Sequence, residues 1–195
     1  MFYSQLNWLE ISKTIHKMGS FPTYSDLPED LQYLFKNLWS LKVEAELPNE
    51  AYGRNVLYSS SDYEVMMASW RPNTECAPHN HGFSTGTVLV LEGAFEEISY
   101  RPVPETGDLA THTGSARRLQ KGQFIEVEGN VFHSMRNLGN IGFTLHFYTP
   151  AIKNMQVLDL KNKRTLTLGD NCGAWIPTDT DKIKGIQAWP QIKIG

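Results

Sequence analysis

From Tyr52 onward the apolar residues fall in short runs rich in β-branched and aromatic side chains, cut at close intervals by Gly, Pro, Asn and Ser. Runs of that length and spacing fit an all-β barrel or sandwich. They predict strands near residues 53–58, 62–70, 87–91, 95–100, 124–127 and 142–148. The polar stretch Pro102 to Ser115 is expected as an exposed loop, with His112 facing solvent. Ahead of Tyr52 the period changes. Leu6, Leu9, Ile11, Ile15 and Met18 recur at mostly helical spacing before the stop signal Gly19, with His16 placed to complement the helix dipole. Leu31, Leu34, Leu38 and Leu41 do so again behind Ser25-Asp-Leu-Pro28, which supplies a cap and a first-turn proline. Two helices are thus expected as a lead-in, their apolar faces covering one side of the β-structure.

The chain of 195 residues is in the range of one domain with a real core. We expect a single domain over 1–195, divided into a helical lead-in at 1–45, a β core at 50–160 and C-terminal strands and tail at 161–195, with a last strand at 191–194. The tail carries no functional signal. Lys and Arg total 18 and Asp and Glu 21, a net charge of -3 without long runs of either sign. That argues against a nucleic-acid or membrane surface. No stretch approaches the roughly 20 apolar residues of a bilayer span. The first residues, MFYSQLNWLEISKTIHK, carry charge throughout and no signal-peptide pattern, so a cytoplasmic protein is expected. In that reducing compartment Cys76 and Cys172 are expected as free thiols.

Chemistry enters at Pro78 to Gly93. His79 and His81 are separated by one residue, and in extended chain residues i and i+2 point to one side, so both can reach one metal ion. Thr87 to Leu91 then reads as a buried strand closed by the turn signal Glu92-Gly93. Taken alone, such a pair reads better as satisfied core histidines. A second segment follows, with Gly122, a strand-like Gln-Phe-Ile-Glu-Val, Glu128-Gly-Asn130, His133 and Asn137.

Together the two segments resemble the paired motifs of the cupin superfamily, small jelly-roll-like β-barrels that bind a metal inside. Gly93, Gly122, His133 and Asn137 stand at the motif offsets, whereas Glu128 and Asn130 replace the usual proline and glycine of a turn. Gly86 stands where most cupins place a ligating glutamate. A three-histidine set without a carboxylate resembles the thiol dioxygenases, and further segments resemble cysteine dioxygenase in particular. These are Tyr52-Gly-Arg54-Asn55, Trp70, and Thr144-Leu-His146-Phe-Tyr148-Thr-Pro150, so the likeness runs from about Tyr52 to Pro150.

The resemblance implies an all-β cupin barrel behind the N-terminal helical segment, with His79, His81 and His133 as ligands of Fe(II). Imidazoles on their own suit Fe, Cu, Ni or Zn. It also implies that Arg54 grips a substrate carboxylate with Tyr52 beside it, and that Tyr148, oriented by His146 and Thr144, contacts substrate and oxygen. Mammalian members carry a cysteine joined to the tyrosine where this chain has Gly86. Gly86 cannot form that link, so the chain resembles bacterial members. Cys76 is left out of the ligand set. The expected activity is oxidation of L-cysteine by O2 to cysteine sulfinic acid. Alternatives are a dioxygenase for 3-mercaptopropionate or cysteamine, or a non-catalytic cupin that binds a metal or small ligand. A small-molecule thiol and O2 are the expected partners of a monomer.

Overall fold

The computed structural model describes residues 33, 47, 49–102, 109–111 and 116–189. The two expected helices, apart from Tyr33, and the strand expected at 191–194 lie outside the described residues, as do His16 and His112. The described chain is built of strands: β1 Tyr52–Ser59, β2 Glu64–Trp70, β3 Thr85–Glu92, β4 Ala94–Pro102, β5 Leu109–Thr111, β6 Arg117–Gln120, β7 Phe124–Val127, β8 Phe132–Asn137, β9 Gly142–Thr149, β10 Gln156–Asp159, β11 Arg164–Leu168 and β12 Ile183–Ala188. Every predicted strand from Tyr52 to Tyr148 is present. One expectation is corrected: Leu109–Thr111 pairs with Tyr100–Pro102, so a strand crosses the segment read as a loop. Among the described residues no helix is long and apolar enough to cross a membrane.

The strands form a cupin barrel from two opposed sheets. One is antiparallel in the order β1-β2-β9-β3-β7. In the other, β4 pairs with β5 and β6, and also with β8, while β10-β11-β12 form a separate ladder. An extended segment joins these two parts. Glu75 bridges to Arg136, and His79 bridges to His133 of β8 and to Val157 of β10. Both sheets contribute to one core, in which Trp70 of β2 meets Phe95 of β4 edge to face at 5.4 Å.

Facing partners in an antiparallel ladder share a side of the sheet, so the register assigns the lining. On β9 the inward residues are Thr144, His146 and Tyr148, flanked by Ala68, Met66 and Glu64 on β2 and by Val90, Val88 and Gly86 on β3. Arg54 of β1 stands opposite Ala68 and Tyr52 opposite Trp70. Gly86 leaves room for the phenol it faces, since a Cβ there would run into the carbonyl of Phe147 and come within 2.7 Å of Tyr148 Cδ1.

The motif residues outside the pocket hold turns. Gly93 and Gly122 have φ of 96° and 83°, a left-handed backbone that favours glycine. Glu128 to Val131 forms the turn in which the motif proline and glycine are replaced. Asn137 is fully buried and its Nδ2 donates to the carbonyls of Arg71 and Asn140, while its Oδ1 accepts from the N–H of Gly139. Asn137→Ala removes all three of these hydrogen bonds and leaves a gap at a fully buried position, and it is expected to destabilise the fold by about 2–4 kcal/mol. Urea unfolding of the two proteins checks this, and an unchanged midpoint would contradict it.

Candidate metal centre and its pocket

His79 and His81 lie in the extended segment ahead of β3 and not on β3 itself, with a turn at Gly82 between them and the strand. The segment keeps the i, i+2 alternation because it is hydrogen-bonded like a strand. The N–H of His79 donates to the carbonyl of His133 at 2.9 Å, and that of His133 returns the bond at 2.9 Å. The paired backbones bring His133 alongside. The three rings lie with centroids 4.8–5.1 Å apart, and one nitrogen from each falls within 4.8 Å of the others. All three are buried.

The second nitrogens show what the centre is suited to. His79 Nδ1 lies 3.0 Å from the carbonyl of Ala77, which accepts its proton, and His133 Nδ1 lies 2.9 Å from Glu97 Oε1. His133 Nε2 and His81 Nδ1 are buried with no hydrogen-bond partner. Orphaned buried nitrogens are costly, and a cation held by the three histidines would supply a partner that the protein does not. Burial first, then neighbouring histidines, holds His79 and His81 well below the usual histidine range. The neutral ring that results is the form a metal requires. The donor set fits a divalent transition metal.

Beside the three rings runs a chain of hydrogen bonds. Trp70 Nε1 donates to Thr144 Oγ1 at 2.9 Å, Thr144 Oγ1 lies 2.7 Å from His146 Nε2, and His146 Nδ1 lies 2.8 Å from the Tyr148 hydroxyl. Thr144 is fully buried and its hydroxyl accepts from the indole, so the imidazole is held between that hydroxyl and the phenol. His146 is neutral, pushed down to about 3 by burial, by His133 and by the Arg54 charge. Its single ring proton is held within this chain, on one nitrogen, with the other nitrogen accepting from a hydroxyl. Tyr148 stacks on His81 with centroids 4.9 Å apart, and burial holds its pKa well above the ordinary phenol value.

The same small pocket is lined by Tyr52 and Arg54, so the residues singled out in the sequence come together. The Tyr52 hydroxyl accepts from the N–H of Ala174 at 2.9 Å, which leaves its own proton to donate. Burial raises its pKa. Cys76 and Cys172 also line the pocket and are free thiols. Cys76 Sγ accepts from the N–H of Met135, and burial pushes its thiol up to about 12, so it stays protonated beside the histidines. Two carboxylates went unread in the sequence. Glu97 holds His133, and Glu64 holds Arg54 through a 2.6 Å contact between Oε1 and Nη2. Each is a charge at an inward position of its strand, sharing parity with Phe95 and Met66, and that parity was the available signal.

The chain matches the family model for cysteine dioxygenase type I over residues 35–161, which includes the described strands β1 to β10. Among solved structures it is similar to an uncharacterised conserved protein with a double-stranded β-helix domain from Klebsiella pneumoniae, with 18% identity, a TM-score of 0.49, and coverage of 60% of this chain and 88% of that one. It is also similar to an RmlC-like cupin from Shewanella frigidimarina, with 18% identity, a TM-score of 0.43, and coverage of 54% and 82%.

Two outcomes are expected from this geometry. Glu97→Ala frees the His133 ring and should weaken metal binding by about 10–100-fold in a chelator competition, with Glu97→Gln losing less because it keeps an acceptor oxygen. Equal affinity in all three proteins would remove Glu97 from the centre. The second concerns pH. An unfolded histidine titrates near 6.5, whereas folded His146 titrates at about 3 and His79 and His81 are lowered too. Between those values the unfolded chain binds protons that the folded chain refuses, so stability is retained above 6.5 and falls as pH drops toward 3. Metal-free protein should therefore unfold at lower urea at pH 5 than at pH 7.5, and His146→Gln should reduce the difference.

Proposed function

The chain belongs to the cysteine dioxygenase type I family, and we propose that it oxidises the thiol of L-cysteine with O2 to cysteine sulfinic acid, with iron(II) held by His79, His81 and His133. One observation carries this reading: three imidazoles able to share a metal, a guanidinium and a buried phenol line a single pocket. In the overall reaction both oxygen atoms of O2 end on the sulfur, and no other oxidant is consumed. Bound at the three histidines, iron would supply the redox chemistry and favour the thiolate form of the substrate.

The remaining roles belong to the chain. Arg54 would hold the substrate carboxylate through charge-assisted hydrogen bonds, with the Tyr52 hydroxyl donating to the same group. That contact fixes the amino acid so that its sulfur faces the centre, and positioning of this kind supplies much of the rate. Tyr148 would donate its proton to the developing oxygen charge, and Trp70, Thr144 and His146 hold it in the direction required. The buried, protonated Cys76 is kept from competing with the substrate thiolate. We place the enzyme in the cytoplasm as a monomer.

Arg54 favours a thiol that bears a carboxylate. 3-Mercaptopropionate keeps that group and cysteamine lacks it. A non-catalytic cupin would leave the hydrogen-bonded chain from Trp70 to Tyr148 without a task. Oxygen uptake by iron-loaded protein, with L-cysteine, 3-mercaptopropionate and cysteamine offered separately, should be fastest with cysteine and yield a product two oxygen atoms heavier. Arg54→Ala should raise the Michaelis constant for cysteine about 10–100-fold with iron content unchanged. Unchanged cysteine affinity would refute the carboxylate role, and no uptake with any thiol would refute the dioxygenase reading.

A further inference from the structure

Glu64 has no part in the reaction proposed above, yet it is a carboxylate at an inward position beside the pocket. It stands opposite Tyr148 in the ladder of β2 and β9, its side chain is 7% exposed, and its Oε1 lies 2.6 Å from Arg54 Nη2. Arg54 is the one guanidinium or ammonium among the described residues lining this pocket. The one carboxylate that lines the pocket, Asp170, is half-exposed and tied to Lys184 at 2.6 Å, whereas Glu64 reaches the pocket through its contact with Arg54. A guanidinium offers a carboxylate two forked edges, both of which use an N–H of Nη2. Glu64 takes one of these N–H groups. A single complete edge remains for a substrate, and the negative charge next to it opposes any further anion.

We propose that Glu64 is a specificity-determining residue that fills, from the protein's own chain, the place a second substrate carboxylate would take. The pocket accordingly accepts small thiols with one carboxylate and rejects those with two. This rests on the reading of Arg54 as the carboxylate-binding group of a thiol dioxygenase. It extends that reading, because the resemblance assigns Arg54 a role and assigns Glu64 none.

The test compares 3-mercaptopropionate with 2-mercaptosuccinate, a thiol with two carboxylates, on iron-loaded wild type, Glu64→Gln and Glu64→Ala. Binding is read by anaerobic calorimetry and turnover by oxygen uptake. Wild type should prefer the monocarboxylate in both. Glu64→Gln removes the charge and keeps an acceptor for Arg54, and it should narrow the preference. Glu64→Ala opens the second edge and should narrow it further, by about 10–100-fold, the worth of a hydrogen bond between charged groups. If Glu64→Ala does not fold, the Gln variant alone decides. Variants that bind 3-mercaptopropionate with the wild-type preference intact would overturn the proposal and leave the dioxygenase reading standing. Wild type that binds no thiol would overturn both.

Discussion

The reciprocal backbone hydrogen bonds between His79 and His133 hold the centre together. They convert a segment outside any long strand into a rung of the second sheet, with His79 bridged on its far side to Val157 of β10. The same segment bonds to β8 again through the N–H of Cys76 and the carbonyl of Met135, and to β10 through the N–H of Asn80 and the carbonyl of Gln156, so the rung that sets the distance from His133 to the histidine pair is braced on both sides. The metal ligands are therefore positioned by main-chain bonds, which are stiffer than side-chain contacts, and the imidazoles need only rotate into place.

Burial does the second part of the work. It keeps His79, His81 and His146 neutral and Tyr148, Tyr52 and Cys76 protonated. The neutral groups from Trp70 to Tyr148 are then tied to one another by an unbroken chain of hydrogen bonds. Charge at the pocket is balanced by contact: Glu64 is paired with Arg54, and Glu97 accepts from His133 Nδ1. Removing one member of the Glu64–Arg54 pair would strand a charge in a low-dielectric interior, which typically costs about 3–5 kcal/mol.

The readable parts of the fold were those where local pattern and tertiary environment agree. Strands such as Val65 to Trp70 and Thr87 to Leu91 are buried and rich in apolar residues, and their period and turn signals predicted them closely. β6, with the sequence Arg-Arg-Leu-Gln, and β8, Phe-His-Ser-Met-Arg-Asn, have no such composition. They are strands because β4 offers both of them its backbone, a long-range pairing that no local window contains. β5 escaped notice for the same reason, inside a stretch whose polarity read as loop.

The site divides along the same line. By itself the sequence determined which residue types were available and their alternation: His79 with His81, and Thr144 with His146 and Tyr148, because a two-residue period in extended chain places side chains on one face whatever the surroundings. It also determined the likeness to cysteine dioxygenases through motif order and spacing. Only the tertiary structure decided which distant groups meet: His133 with the histidine pair, Trp70 with Thr144, Glu97 behind His133 and Glu64 on Arg54. Those partners lie tens of residues apart, and their meeting depends on strand register and sheet order, which are set by the whole set of backbone pairings at once.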